Sequence, residues 1–298
     1  MQEAKESVSP IILDLDKNGI QTSGLGSNSY FDYAGDGLRE NTAWVGKGDG
    51  ILVRDLNGDG IINDGSELFG NNTLLSNGQK ANNGYEALAE LDENGDGVID
   101  ERDSAYHSLK VWVDKNGDGY TDDDEPKTLA ELGIASIGTG YINSDYKDQY
   151  GNEHKQVGEI TFTDGSTSTS TDVWFNVNKT DRVDETQVDL TADIILMPNA
   201  TCFGDVRDLH QAMALDSKLQ GMLKAIIDEP NATKRSQLLD TFIYRWTGSE
   251  GIASGSRGGY IDARQLVALE QLVGQEFLGI WCEGWGAGAN LANPHKNA

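Results

Sequence analysis

The chain has 298 residues, enough for one large or two ordinary domains, and carries 49 Asp plus Glu against 23 Lys plus Arg, a formal charge of -26. That excess speaks against nucleic acid and anionic membrane as partners, because both are bound through basic residues. A hydrophobic content of 37% with 8% aromatics excludes a wholly disordered acidic chain, so a bound cation is the first candidate to offset the acid.

The excess is N-terminal: residues 1–128 hold 26 acids and 10 bases, a net -16. Met1 to Pro10 lacks the basic and apolar regions of a secretory signal, and no apolar run reaches the roughly 20 residues of a membrane span. Short β-type runs, Pro10 to Leu15, Ala43 to Val45, Ile51 to Arg54 and Lys110 to Val113, alternate with Gly-Asp-Gly and Asn-Gly turns. Before Ile134, helical pattern is confined to Tyr85 to Leu91, Asp103 to Leu109 and Leu129 to Leu132.

The acidic runs between these elements have the spacing of calcium loops. Calcium takes 6 to 8 oxygens, so a short loop needs carboxylates or amides at alternate positions, a Gly at the sharp turn and a later bidentate acid. The first run, Asp14, Asp16, Asn18, Gly19 and Ile20, has no closing acid nearby and would borrow Asp32, Asp36 or Asp49. Asp32 and Asp36 also form a minimal run of their own, without the middle ligand. The next, Asp55, Asn57, Asp59, Gly60, Ile61 and Asn63, has its acid Glu67 one residue late. Asp92, Asn94, Asp96, Gly97, Val98 and Asp100 are closed by Asp103, a shorter acid than the usual Glu.

The fullest match is Asp114, Asn116, Asp118, Gly119, Tyr120, Asp122 and Glu125. There Tyr120 offers its carbonyl, Asp122 a water-bridged oxygen and Glu125 a bidentate one, with Ile20, Ile61 and Val98 as the carbonyl donors of the other loops. Asn/Asp-Gly turns without metal are the alternative for any one loop, but a shared spacing across four argues for the cation. Numerous flexible oxygens favour calcium, three to five ions, over magnesium, and the scattered His107, His154, His210 and His295 speak against zinc.

From Ile134 to Asn178 the sequence is alternating and Thr- and Gly-rich, with turn signals at Tyr150-Gly-Asn and Asp164-Gly, which predicts a β-hairpin and a further strand over Val173 to Val177. Thr180 to Asp193 reads as a polar linker. Beyond it Leu219, Met222, Leu223 and Ile226, and again Leu239, Phe242, Ile243 and Trp246, form i, i+3, i+4, i+7 stripes, with Asp205, Asp216 and Asp262 at N-cap positions. The expected architecture is therefore α+β: a calcium-loop-rich domain over 1–185 with short strands, EF-hand-like loops and a β-hairpin, then a small all-α domain over 190–298.

Ser9-Pro10-Ile-Ile-Leu-Asp-Leu-Asp-Lys-Asn-Gly, Gly50-Ile-Leu-Val-Arg-Asp-Leu-Asn-Gly-Asp-Gly, Gly65-Ser-Glu-Leu-Phe-Gly70 and Asn83-Gly-Tyr-Glu-Ala-Leu-Ala-Glu-Leu-Asp92 resemble the calcium-dependent region of FrpC-like RTX exoproteins. Val206-Arg-Asp-Leu-His210, Arg245-Trp-Thr-Gly248 and Ser256 to Arg264 look like the helical segment that follows it in large members. The resemblance implies a fragment of a larger bacterial protein, exported by a type I route and folding outside the cell when it meets calcium. In some of these proteins the region processes itself: an Asp-Pro bond at its N-terminal edge breaks through a cyclic anhydride of the Asp, which a lysine can capture as an isopeptide. Here the matching residue is Ser9 before Pro10, and the other prolines follow Glu125, Met197, Glu229 and Asn293. Serine has no carboxyl to form the anhydride, so no cleavage by that route is expected as the chain is written.

No Gly-x-Ser-x-Gly elbow, His-Glu-x-x-His or phosphate loop occurs. Gly284-Trp-Gly286-Ala-Gly-Ala289 imitates a dinucleotide fingerprint but follows a helical region, and Trp246, Trp281 and Trp285 are read as packing residues ahead of a sugar or peptide groove. Cys202 and Cys282 are expected as free thiols ahead of a disulfide. The function expected is a calcium-binding, calcium-folded module, non-enzymatic as written and monomeric as a fragment. Its alternatives are a processing or ligating module that has lost its Asp, and an adhesion module whose helical domain engages a protein partner.

Overall fold

The computed structural model describes residues 7–202, 204–258, 260–274 and 277. Of these described residues, those to Asn178 form one compact unit and those from Lys179 another. Cys282, Trp281, Trp285, His295 and the Gly284 to Ala289 run lie outside the described residues.

The first unit is built on antiparallel strands: β1 (Ser7–Val8), β2 (Ile11–Asp14), β3 (Ser29–Phe31), β4 (Leu38–Thr42), β5 (Asp49–Arg54), β6 (Val98–Asp100), β7 (Leu109–Trp112), β8 (Pro126–Thr128), β9 (Ile134–Gly138), β10 (Ile142–Lys147), β11 (Glu153–Phe162) and β12 (Thr167–Asp184). The main path runs β6-β9-β11-β12-β2-β5-β7-β8, with β1 and β4 also on β12, β10 on β11 and β3 on β4. The central strands read as continuous apolar runs because both faces are covered. Ile11 and Leu13 of β2, Leu52 of β5 and Leu109 and Val111 of β7 enter one core, which includes Tyr85 and Leu88 of the helix α1 (Gly84–Ala89). Ile12, Ile51, Val53 and Trp112 point into the other, an aromatic core with Phe31, Tyr33, Trp44 and Phe175.

The expected fold class needs correction. The chain is α+β overall, but the runs between the acidic loops are not short strands in a loop-rich domain; they pair into an extended antiparallel sheet. The pairings are remote in sequence: Ile11 sits opposite Asp172 and Ile51 opposite Trp112. No local pattern specifies such pairings, which cost loop-closure entropy before any contact rewards them. β12, expected as a short strand followed by a linker from Thr180, is one strand of 18 residues.

Nor is the rest a small all-α domain. The unit from Lys179 opens on the end of β12, where Lys179 pairs with Asp205 at 3.0 Å and Arg182 donates to the Cys202 carbonyl at 3.1 Å. The helices α2 (Ala192–Ile195), α3 (Leu209–Leu215), α4 (Ser217–Asp228), α5 (Ala232–Trp246) and α6 (Ala263–Val273) follow. Asp216 caps α4 and Asp262 caps α6, whereas Asp205 serves the Lys179 pair and Asn231 caps α5. Leu219, Leu223, Ile226 and Phe242 share a core with Ile194, Leu209 and Met213. Arg245, Arg257 and Arg264 are held by Asp216, Glu270 and Asp262 respectively.

Candidate metal centre

The acidic runs are hung on strand ends. β2 leads into the run at Asp14, β5 into that at Asp55 and β7 into that at Asp114, while α1 precedes the run at Asp92. Five opening acids share one geometry, in which the carboxylate folds back over the turn and accepts two backbone amides. Asp14 accepts Asn18 (3.2 Å) and Gly19 (3.0 Å); Asp32 accepts Gly35 and Gly37 (2.7 Å each). Asp55 accepts Gly58 (2.7 Å) and Gly60 (3.0 Å), Asp92 accepts Gly95 and Gly97 (2.8 Å each), and Asp114 accepts Gly117 (2.6 Å) and Gly119 (2.9 Å). Gly119 is required twice over: its φ is +81°, and a Cβ there would stand 2.3 Å from the Tyr30 carbonyl oxygen.

The closing acids also share a geometry. In three loops the acid accepts the amides of the second and ninth residues, one on each oxygen. Glu67 takes Leu56 (2.8 Å) and Asn63 (2.7 Å), Asp103 takes Glu93 (3.0 Å) and Asp100 (3.1 Å), and Glu125 takes Lys115 (2.8 Å) and Asp122 (3.1 Å). The late Glu67 and the short Asp103 thus reach the same place as Glu125. Between head and tail Asn57, Asn94 and Asn116 accept the amides of Asp59, Asp96 and Asp118 at 2.9, 2.8 and 3.0 Å. Asp59 and Asp118 in turn accept those of Ile61 and Tyr120, both at 2.8 Å.

The first run, which has no closing acid of its own, meets Asp49 from β5. Asp49 accepts the Gln21 amide at 2.7 Å and the Leu15 amide, while Asp32 and Asp36 remain in their own turn. Among the described residues, Asp14, Asp16 and Asp49 are the one group of three ligating side chains brought together, with oxygens within 4.8 Å of one another. At an effective dielectric of about 20, unit charges at that separation repel by roughly 3 kcal/mol per pair. Burial, and then Asp14 and Asp16, push the Asp49 carboxyl up to about 7. Its Oδ1 is buried without a hydrogen-bond partner. Burial likewise raises Asp32 and Asp114.

Asp14, Asp32, Asp49, Glu67, Asp103, Asp114 and Glu125 are all buried, and among the described residues none has a Lys or Arg at ion-pair distance. Uncompensated buried carboxylates are costly. The donor set of carboxylates, amides and carbonyls is hard oxygen, suited to calcium. More exposed acids do have cations: the Arg102 guanidinium lies 2.5 Å from Asp96 and 2.6 Å from Asp100, and the Lys110 ammonium 3.4 Å from Asp55.

Residues that spacing did not single out complete the surroundings. The indole N–H of Trp44 donates to Asp114 Oδ2 at 2.7 Å and that of Trp112 to Glu125 Oε2 at 3.0 Å. Thr121 joins two loops, accepting the Ile62 amide at 3.0 Å. Tryptophans in apolar runs carry no sign that their nitrogens face an acid thirteen or seventy residues away.

Ser9 and Pro10 are buried beside a further acid. The Ser9 amide donates to Asn71 Oδ1 and its hydroxyl oxygen accepts the Asn71 amide, both at 3.1 Å. A Cβ at Gly70 would stand 1.5 Å from the Ser9 carbonyl oxygen, so only glycine lets the two backbones approach. Asp172, fully buried, hydrogen-bonds the Ser9 side chain, accepts the Gly84 amide at 2.6 Å and leaves Oδ1 without a partner.

The family described as the SPM domain matches residues 11–176. The iron-regulated protein FrpA of Neisseria meningitidis serogroup C is 41% identical over 243 residues, which are 81% of this chain and 22% of that protein. The chain thus spans under a quarter of the curated relative it matches. Among the described residues no helix is long and apolar enough to cross a membrane.

Proposed function

The chain belongs to the SPM domain family, and we propose that it is a calcium-binding module, part of a larger secreted bacterial RTX protein, whose N-terminal unit is stabilised by calcium. The observation that carries this reading is the set of buried carboxylates at loop heads and tails that have no basic partner among the described residues. The Asp14, Asp16 and Asp49 group would hold one ion, and the loops 55–67, 92–103 and 114–125 one each. Asp32 and Asp36, in a turn lacking the middle ligand, are the weakest candidates. Calcium supplies the positive charge that these sites lack; it has no chemical step to perform here. Isothermal calorimetry on the chelator-treated chain tests this: calcium is expected to bind in the range of extracellular modules, a Kd of roughly 0.1 to 1 mM. No heat of binding at millimolar calcium would sink the reading.

A second reading rests on Asp172 beside Ser9. A carboxylate introduced at position 9 would share a buried pocket with Asp172, and two such acids retain a proton between them. The ionised carboxylate could attack its own main-chain carbonyl carbon, closing a cyclic anhydride. The C–N bond to Pro10 breaks as the Asp172 proton passes to the proline nitrogen, and water then opens the anhydride. The scaffold would then be a processing module silent only for want of an acid at Ser9. Ser9→Asp with calcium is expected to release a nine-residue N-terminal piece, seen by mass spectrometry; an intact variant counts against latent processing and leaves calcium binding untouched.

A further inference from the structure

The 114–125 loop differs from the others in what touches its two end acids. Asp114 and Glu125 are buried to 1% and 2% exposure. Each is gripped from within the loop by backbone amides and from the core by one indole: Trp44 on Asp114 Oδ2, the oxygen that also accepts Gly119, and Trp112 on Glu125 Oε2, the oxygen that also accepts Asp122. Both tryptophans are fully buried, their rings 5.4 Å apart and nearly perpendicular, and Phe31 lies 5.5 Å from Trp44 and 5.8 Å from Trp112. Indole is a donor only, so each N–H fixes a carboxylate without competing for a cation. A donor that loses its acceptor in this core would be left buried and unsatisfied, which ties ring packing and carboxylate position together.

We propose that Trp44 and Trp112 are positioning residues for divalent-cation binding by the 114–125 loop, setting its opening and closing carboxylates and linking occupancy of the loop to packing of the aromatic core. The inference rests on the calcium reading above. Outer-sphere hydrogen-bond partners of metal ligands are typically worth about 10- to 100-fold in affinity.

The test is calorimetry with calcium on the whole chain, comparing wild type, Trp44→Phe, Trp112→Phe and Asp118→Ala, the last to silence this loop alone. Phenylalanine keeps an aromatic ring in the core and removes the donor. One class of site is expected to weaken by about 10- to 100-fold in each Trp variant, the same class that is missing from Asp118→Ala, with the other classes unchanged. Folded variants with the wild-type isotherm, or with every class weakened alike, overturn the proposal. Should the Phe variants not fold, the indole N–H resonances of wild type decide. Both should move as that class fills and stay fixed in Asp118→Ala, and resonances indifferent to calcium overturn it. A wild-type chain that binds no calcium removes the calcium reading itself, a result distinct from either.

Discussion

Asp172 is a carboxyl whose cost can be measured apart from calcium. Burial pushes it up to about 6 from an ordinary 3.8, against the lowering effects of the Gly84 amide, the Ser9 hydroxyl and the Lys155 charge. A folded-state value above the unfolded one means that the favourable contribution is complete below the ordinary value and is lost as the pH rises through about 6. A rise of that size corresponds to roughly 3 kcal/mol of destabilisation at neutral pH. Asp172→Asn keeps the shape and an oxygen for Gly84 while removing the charge. With calcium chelated throughout, the variant is expected to match wild type near pH 4 and to gain up to about 2 kcal/mol by pH 7.5 in urea unfolding. A wild-type-minus-variant difference that does not change with pH would show that Asp172 titrates in the folded chain as it does in the unfolded one, and would overturn the burial cost. The same residue bears on processing, since an acid that holds its proton is the kind of donor a departing proline nitrogen needs.

The loops show how much of the candidate site can be read from local spacing. A head acid followed by glycine five positions on fixes a turn in which the carboxylate meets two amides, and Asp14, Asp32, Asp55, Asp92 and Asp114 all obey it. Closing acids are legible when local, and the clasp proves more tolerant than side-chain length suggests: Asp103 at position twelve and Glu67 at thirteen accept the same pair of amides as Glu125. Remote groups are not legible in that way. Asp49 meets the first loop because β2 pairs with β5, with Asp14 opposite Asp49. Trp44 reaches Asp114 across the aromatic core. The sheet itself escapes for the same reason: the local pattern of Thr167 to Asp184 suggests a short strand that gives way to a polar linker at Thr180, yet it is the one strand that β1, β2, β4 and β11 share. The helical stripes fare better because Leu219, Leu223 and Ile226 lie within one helix, although Leu239 of the second stripe is exposed.

Charge across the whole chain connects the two units to one experiment. The net -16 of residues 1–128 falls almost wholly within the unit that ends at Asn178, and three divalent ions, one in each of the loops closed by an acid of their own, would add six positive charges and bring it to -10. A site at about ten times its Kd stabilises by roughly 1.4 kcal/mol, so three would contribute roughly 4 kcal/mol to that unit. For a unit of this size that corresponds to a rise in melting temperature of roughly 8 to 16 °C. The unit from Lys179 has apolar packing and its own ion pairs, Arg245 with Asp216 and Arg207 with Asp184, and should melt at a calcium-independent temperature. Calorimetric melts with millimolar calcium and with chelator are expected to show one transition that moves and one that does not. Sodium chloride at matched ionic strength screens exposed charges but leaves buried pairs of carboxylates largely unscreened, and should not reproduce the shift. If salt alone does so, or if both transitions move together, the stabilisation is general charge screening and the loops are turns without a specific ion.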